Sequence, residues 1–258
     1  RVGRRLGQHF LVSDSVLSRL AAAVCPEPAP LVVEIGPGKG ALTRHLLERA
    51  SQVVAIELDP ALPPLLRQRF PSGSLEIIQG DVLETNLAQW GPVPIAGNLP
   101  YYITSPILAH VLPLGPRSLQ PAVLLLPRGG PARVLAAPER RDYGYLSVAC
   151  QVRAEVEWLF RVPPGAFSPP PKVDSAALRF TPVDPSLRWA IPDVDRFLRF
   201  AAACFQQKRK TLRNNLRGAW PLIESHPAAG ARAEELSIAQ LVELHRELTA
   251  NHPEGVRR

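Results

Sequence analysis

Short apolar runs alternate with stretches of helical spacing over the first two thirds of the chain. Each run is rich in Val, Ile or Leu and ends in a turn or a polar residue, as buried strands do. Strand–helix alternation of this kind predicts an α/β fold with a mostly parallel, doubly wound sheet. Helices are expected between the runs, for example at residues 41–50 and 106–112. The predicted strands are residues 31–36, 52–58, 74–81, 93–98 and 121–126.

Two later apolar runs, residues 155–163 and 175–182, predict a closing, hairpin-like pair of strands. The proline-rich loop 163–172 would join them. Pro63 and Pro131 fall where helices are expected. Because proline inside a helix costs about 3 kcal/mol, we expect these helices to begin later or to be kinked.

The residue pattern of the sequence changes after Pro182. Residues 181–195 are proline-spaced and indicate a linker, and the segments beyond them show helical spacing without any strand signal. We therefore predict two domains, an α/β domain over residues 1–182 and a small all-helical domain over residues 183–258. The expected helices lie in residues 195–207, 210–220 and 237–248.

Composition is typical of a globular protein with a sizeable core, since 46% of residues are hydrophobic and 21% are charged. No apolar run reaches the roughly 18 residues of a membrane span. The first ten residues carry no apolar segment with a cleavage site, so no secretory signal is expected. The three scattered cysteines, Cys25, Cys150 and Cys204, lack metal or disulfide spacing and predict buried thiols in a reducing cytoplasm.

The net charge of +7 is unevenly placed. Residues 196–217 contain seven basic side chains and no acidic one, and the first ten residues contain three arginines and no acid. Two such basic zones favour binding of phosphates, the alternative being a solvated charged surface. The candidate nucleic-acid contacts are Arg4, Arg5, Lys208, Arg209, Lys210 and Arg213.

A glycine-rich loop, residues 36–40, follows the first predicted strand and precedes a helix. Glycine lets the backbone turn tightly and approach a ligand where a side chain would collide. The G-x-G-x-G spacing differs from the dinucleotide fingerprint, which needs its third glycine one residue later. Taken alone, the loop is explained almost as well by a simple tight turn.

Acidic residues at the next two strand ends strengthen the case for a ligand. Glu57 closes the second strand 21 residues after Gly36, the distance at which an acid meets the ribose hydroxyls of an adenosine-type ligand. Asp81 closes the third strand, where it can accept a hydrogen bond from an adenine amino group. Ligands of open α/β sheets bind at the carboxyl ends of strands. Each acid alone could equally be a helix cap or part of a solvated turn.

The fourth strand ends in Asn98, Leu99, Pro100 and Tyr101. An exocyclic adenine amine is a poor nucleophile because its lone pair is delocalised into the ring. An amide oxygen and a backbone carbonyl that accept its two N–H bonds favour a pyramidal nitrogen. Pro100 would fix the Leu99 carbonyl, and Tyr101 would offer an aromatic face to the base. This chemistry needs positioning and electrostatics but no metal. An ordinary Asn-Pro turn is the alternative.

Eight short motifs occur in order over almost the whole chain. They are GQHFL (7–11), VEIGPGKGALT (33–43), IELD (56–59), GDVL (80–83), GNLPYYITSPIL (97–108), YGYLSV (143–148), FSPPPKVDSAALRF (167–180) and FQQKRKTLRNNL (205–216). Together they resemble the KsgA-type dimethyladenosine transferases of small-subunit ribosomal RNA. The related Erm enzymes, which methylate large-subunit RNA, share the NxPY core. Residues 98–106 and 205–216 are more similar to the KsgA branch.

The resemblance implies a class I, Rossmann-like methyltransferase with S-adenosylmethionine as the methyl donor and no metal. Asn98, the Leu99 carbonyl and Tyr101 would hold the target amine, and Phe167 would stack on the flipped adenine, with core packing as the alternative for this ring. His9 stands where many relatives have Asn. The implied donor contacts are His9, Leu11, Gly36, Glu57, Asp81 and Asn98.

The implied reaction is transfer of methyl groups to N6 of two adjacent adenines near the 3′ end of small-subunit RNA. The expected partner is the pre-30S particle, the expected compartment is the cytoplasm, and nothing in the sequence demands a dimer, so a monomer is expected. One segment departs from the family pattern. Residues 127–131, PRGGP, replace the usual Gln-Lys-Glu-Val-Ala, which predicts a weak first helical turn and puts some substrate-side contacts in doubt.

Three alternatives remain open. The first is an Erm-like enzyme that acts on large-subunit RNA. The second is a ribosome-assembly or transcription factor that kept the fold and lost turnover, against which the intact segment 98–101 and Glu57 argue. The third is a DNA adenine methyltransferase, which the basic segment 208–216 disfavours.

Overall fold

The computed structural model describes residues 9–99, 103–127 and 129–250. Contacts divide the chain into two units. The first comprises the chain up to Pro131 together with Ala154–Pro182, and the second comprises Ala132–Arg153 and the chain from Val183 onward. Within the described ranges, no helix combines the length and the apolar character that crossing a membrane requires.

The first unit is built on a seven-stranded sheet with the order β4-β3-β2-β5-β6-β9-β7. The first five strands in this order are parallel, and β9 is antiparallel to both of its neighbours. A separate two-stranded pairing joins β1 to β8. The strands are β1 (Phe10–Leu11), β2 (Ala29–Ile35), β3 (Ala50–Glu57), β4 (Leu75–Gln79), β5 (Val93–Asn98), β6 (Leu119–Pro127), β7 (Ala154–Val162), β8 (Phe167–Ser168) and β9 (Ser175–Pro182).

Helices flank the sheet in the sequence order that a doubly wound fold requires, and the α/β prediction is confirmed. Short 3₁₀ turns occupy Val82–Glu84, Leu87–Trp90, Leu112–Leu114 and Pro164–Ala166. The helix α6 (Gly130–Leu135) contains the junction between the two units. The other helices of the first unit are α1 (Asp14–Val24), α2 (Ala41–Leu47), α3 (Leu62–Arg69), α4 (Thr104–Val111) and α5 (Gly115–Ser118).

The central strands are apolar and buried because helices cover both faces of a parallel sheet. The strand order reverses at β2, which has β3 on one side and β5 on the other. Loops that leave the carboxyl ends of β2 and β5 therefore diverge and open a crevice at that edge. All five predicted parallel strands are present, and the predicted antiparallel pair is formed by β7 and β9.

The prolines sit at helix starts. Pro63 lies in the first turn of α3, and Pro131 is the second residue of α6. Proline is tolerated there because the first-turn N–H groups have no partner within the helix. In the segment that departs from the family pattern, β6 runs on to Pro127 and α6 has only six residues.

The second unit is helical, as predicted, and has its own core. In α9 the buried residues Phe197, Phe200, Ala201 and Cys204 recur at helical spacing, and the Asp193 carboxylate caps the helix by accepting the Arg196 N–H. Short 3₁₀ turns occupy Pro221–Ser225, Pro227–Gly230 and Ala233–Glu235. The helices are α7 (Tyr145–Arg153), α8 (Pro185–Trp189), α9 (Val194–Cys204), α10 (Leu212–Leu216) and α11 (Ile238–Thr249).

Two expectations about domain organisation need correction. The boundary at Pro182 left Ala132–Arg153 in the first domain, but Tyr143, Val148 and Val152 pack into the core of the second unit. The expected linker 181–195 is partly structured, because α8 forms within it with Asp184 as its N-cap. Local sequence patterns do not record which core a distant segment joins.

Candidate active site

A cavity of about 420 Å³ opens at the carboxyl edge of the sheet, where the strand order reverses. Its volume lies within the range of roughly 300–1,000 Å³ that is usual for sites that bind small molecules. All residues that line it belong to the first unit. The site predicted from sequence is brought together here, since the lining includes His9, Leu11, Gly36, Glu57, Asp81, Asn98, Leu99 and Phe167.

The glycine loop after β2 has a backbone that side chains would obstruct. Gly36 has φ +68° and open space where a Cβ would stand, so the loop leaves room for a ligand at this point. Gly40 has φ +78°, and a Cβ there would stand 2.5 Å from Phe70 Cε2. The loop therefore requires glycine for its backbone shape at both positions and for packing at Gly40.

Glu57 ends β3 and is only 3% exposed. Its Oε2 accepts the Gly38 N–H at 3.0 Å, and its Oε1 accepts the Asp59 N–H at 2.9 Å. Burial raises the pKa of this carboxyl, and the two backbone donors work in the opposite direction. Each oxygen of a carboxylate can accept a further hydrogen bond, so Glu57 remains able to bind ligand hydroxyls.

Asp81 lines the cavity after β4 and also caps the turn Val82–Glu84 through a 2.9 Å hydrogen bond from the Leu83 N–H to Oδ1. The cap uses one carboxylate oxygen. The two interpretations that the sequence offered, a cap and a ligand contact, are therefore compatible in one residue.

Glu34 is a lining residue that the sequence analysis did not select. It is 2% exposed, and its Oε2 accepts the Thr43 hydroxyl at 2.6 Å. Glu34 pairs with Ala55 across β2 and β3, so the alternation of side chains along the strands places Glu34 and Glu57 on the same face. Burial chiefly, and the nearby Glu57 charge, raise the pKa of Glu34 to about 7. A lone carboxylate in the apolar run LVVEI was the signal available in the sequence.

The segment that contains His9 and Leu11 forms one wall of the cavity. His9 Nδ1 lies 2.8 Å from the Pro169 carbonyl oxygen, and Leu11 pairs with Phe167. Phe10 was also missed. Its ring lies 5.0 Å from the Lys39 ammonium and would contact a Cβ at Gly38, which ties the N-terminal segment to the glycine loop.

The residues predicted to hold the target amine begin at the end of β5. Asn98 Nδ2 donates to the His9 carbonyl at 3.3 Å, which leaves the amide oxygen to act as an acceptor. The Leu99 N–H donates to the Leu125 carbonyl at 3.1 Å, and Leu99 is buried, so this peptide is held firmly at the cavity. Tyr101 lies outside the described residues.

Phe167 is 5% exposed and belongs to the hydrophobic core, yet it also lines the cavity. The ring is anchored by pairing between β8 and β1. Both interpretations of Phe167, core packing and a wall of the base site, are compatible with this placement.

The basic candidates divide into three groups. Arg209, Lys210 and Arg213 are exposed and, in the part of the chain that the structure describes, form no ion pair. The Lys208 ammonium is already engaged, since it lies 3.6 Å from Glu234 Oε2 and donates to two backbone carbonyls. Arg4 and Arg5 fall outside the described residues.

An open sheet that reverses at β2, with a glycine loop after that strand, an acid at the end of β3 and another after β4, defines a class I methyltransferase. Comparison with known proteins identifies the family. The model of the ribosomal RNA adenine dimethylase family matches residues 1–249, and the chain belongs to that family. The resemblance to KsgA-type enzymes is thereby confirmed.

Relatives named ribosomal RNA small subunit methyltransferase A are similar over most of their length. The protein from Acidobacterium capsulatum is 44% identical over 257 residues, covering 95% of this chain and 90% of the relative. The protein from Thiobacillus denitrificans is 42% identical over 243 residues, covering 92% and 93%.

Two solved structures are similar in fold. A dimethyladenosine transferase from Plasmodium falciparum has a TM-score of 0.79 at 23% identity, covering 94% of this chain and 98% of that one. The 23S rRNA methyltransferase ErmE has a TM-score of 0.68 at 26% identity, covering 93% and 99%.

The buried carboxyl of Glu34 predicts a pH-dependent stability. Its pKa is about 7 in the folded protein and 4.5 in its ordinary state, so its contribution to folding is greatest below pH 4.5 and is lost as the pH rises through 7. Gln cannot ionise and can still accept the Thr43 hydroxyl. We expect Glu34→Gln to gain stability relative to the wild type by up to about 3 kcal/mol between pH 4 and pH 8.5. Urea unfolding across this range measures the difference.

The matched control is Glu76→Gln, which removes an exposed carboxyl from the same sheet. Its stability difference from the wild type should stay nearly constant over the same range. A Glu34→Gln difference that is equally constant would show that Glu34 titrates normally.

Proposed function

We propose that the protein transfers methyl groups from S-adenosylmethionine to N6 of two adjacent adenines near the 3′ end of small-subunit ribosomal RNA. The observation that carries this proposal is the placement of Asn98 and the Leu99 peptide beside the cavity that holds Gly36, Glu57 and Asp81. A donor site and an amine site thus share one wall. The names and identities of the relatives support the choice of small-subunit RNA.

The cavity suits an adenosine-type donor. Glu57 offers carboxylate oxygens for ribose hydroxyls, Asp81 offers an acceptor for an adenine amine, and Gly36 leaves space for close approach. The buried Glu57 carboxylate also places negative charge where a cationic ligand would bind. When bound, S-adenosylmethionine supplies an electrophilic methyl group on a sulfonium.

The residues after β5 would prepare the acceptor. The Asn98 amide oxygen and the Leu99 carbonyl accept the two N–H bonds of the adenine amine and so direct its lone pair. Because Asn98 is fixed by His9 and Leu99 by Leu125, this geometry needs little reorganisation. Phe167 offers an aromatic surface for the base, which must leave its stack to reach the cavity.

We further propose that the substrate is the pre-30S particle in the cytoplasm and that the protein acts as a monomer. The buried, unpaired thiols Cys25, Cys150 and Cys204 agree with a reducing compartment.

The similarity to ErmE supports a second candidate, methylation of large-subunit RNA. The two candidates differ in substrate, so purified unmodified small and large subunits separate them. We expect methyl incorporation into small subunits, and mapping by mass spectrometry should place it on two adjacent adenines. Incorporation only into large subunits would favour the second candidate. Tight RNA binding without any transfer would indicate an assembly factor.

Asn98→Ala should reduce methyl transfer by about 100-fold or more, because it removes an oriented acceptor that acts on the reacting amine. RNA affinity should change little, since phosphate contacts supply most of it. Single-turnover transfer and filter binding measure the two effects. The control is Asn86→Ala, which alters an amide outside the cavity that caps only the turn Leu87–Trp90. Wild-type turnover by Asn98→Ala would remove its assigned role.

Glu57→Ala should weaken S-adenosylmethionine binding by roughly 10- to 100-fold, because hydrogen bonds to a charged group contribute about 1.5–3 kcal/mol. Isothermal titration calorimetry measures this below the unfolding temperature of the variant. Glu76→Ala, which removes an exposed charge from the neighbouring strand, should bind as the wild type does. Equal affinities of all three proteins would place the ribose elsewhere.

A further inference from the structure

We infer that the RNA-binding surface of the second unit combines two segments distant in sequence, residues 139–142 and 207–213, and that Lys208 joins them without contacting RNA. This inference rests on the proposed function and refines it. It adds Arg140 and Arg141 to the surface and withdraws Lys208 from the predicted phosphate contacts.

Lys208 is occupied by partners inside the second unit. Its ammonium donates to the Arg141 carbonyl and to the Tyr143 carbonyl, the latter at 3.3 Å, and it lies 3.6 Å from Glu234 Oε2. An ammonium has three N–H donors, and the two carbonyls use two of them. Glu234 lies at ion-pair distance and balances the charge. A phosphate that bound Lys208 would have to compete with Glu234 for the ammonium.

The segment 139–142 is held in one shape. The Glu139 N–H donates to the Glu234 carbonyl at 2.8 Å, and the Tyr143 N–H donates to the Arg140 carbonyl at 2.9 Å. The side chain of Tyr143 is buried, donates its hydroxyl to the Leu236 carbonyl at 3.0 Å and meets the Phe205 ring edge-on at 5.8 Å. The backbone is therefore anchored on both sides of Arg140 and Arg141.

The segment 207–213 is anchored in the same way. The Lys210 N–H donates to the Gln207 carbonyl at 2.8 Å. Asn215 Nδ2 donates to the Cys204 carbonyl at 2.7 Å and to the Gln207 carbonyl at 3.3 Å. The turn between α9 and α10 is thus fixed, and Arg209 and Lys210 extend from it into solvent.

Charge on the combined surface favours an anionic polymer. Five of its cationic side chains are exposed and, within the described ranges, have no acidic partner, against two exposed acids, Glu139 and Asp142. Rigid backbone on both segments lowers the entropy lost when these side chains bind. Arginine is well suited to phosphate because its planar fork donates two parallel hydrogen bonds. The cations are Arg140, Arg141, Arg209, Lys210 and Arg213.

The decisive variant is Arg140→Gln/Arg141→Gln in the full chain, with RNA affinity measured against salt concentration on unmodified small subunits. Each lost phosphate contact should lower the slope of log K against log salt by about 0.7–0.9, so the slope should fall by about 1 to 2. Arg67→Gln/Arg117→Gln makes the same charge change at exposed arginines of the first unit and should leave the slope unchanged. A slope equal to that of this control would remove residues 139–142 from the surface.

Lys208→Gln tests whether Lys208 joins the two segments of the surface or binds RNA. We expect a lower Tm with an unchanged salt slope, because the variant loses bonds within the unit and no phosphate contact. Arg209→Gln/Lys210→Gln should show the opposite, a lower slope at the wild-type Tm. A lower slope for Lys208→Gln at the wild-type Tm would make Lys208 an RNA contact. The proposed function is tested apart from these variants, because it fails only if the wild type methylates no small-subunit RNA.

Discussion

The hydrogen bond from the Gly38 N–H to Glu57 Oε2 joins the loop after β2 to the end of β3, and the geometry of the cavity depends on it. Parallel pairing brings these two strand ends to the same edge of the sheet, but pairing alone does not fix the path of a loop of five residues. The carboxylate does so by accepting one N–H from the loop and another from Asp59. The same side chain then faces the space that the loop leaves open. A structural bond and the proposed ligand contact would thus be combined in one buried group, which gives a reason for an acid where a hydrophobic residue would pack at lower desolvation cost.

The sheet could be predicted from the sequence because each buried parallel strand is a short apolar run with a clear end. The residues at the ends of β2 to β5 could be predicted for the same reason, since the fold brings those ends together whatever lies between them.

Which of the two cores a segment joins was harder to predict. Tyr143, Val148 and Val152 precede the last strands of the sheet in sequence but belong to the core that also contains residues of α9 and α11, which no local periodicity records. The helix α8 was missed because Pro185 and Pro192 suggested a linker, although a proline at a first turn is compatible with a helix.

For two residues of the site, the sequence allowed a structural and a functional interpretation, and the structure is compatible with both. Asp81 caps a turn and lines the cavity, and Phe167 packs in the core and lines the cavity. One side chain can serve both purposes, because a side chain that is already held by packing presents a fixed surface to a ligand. Glu34 could not be selected in this way, because its partner Thr43 lies on a helix nine residues away and the contact depends on the fold. Lys208 was selected because it stands in a basic run, yet charge in sequence does not show whether a tertiary partner has already neutralised it.

The first unit has buried negative charge and the second has exposed positive charge, and each arrangement suits the ligand proposed for it. In the first unit, Glu57 is buried beside the cavity, where a low effective dielectric strengthens attraction to the proposed sulfonium donor and salt screens little of it. In the second unit, arginines and lysines stand in solvent, where salt competes for each phosphate contact. We therefore expect salt to weaken RNA binding far more than donor binding, because salt screens the exposed cations of the second unit but reaches little of the buried Glu57 carboxylate.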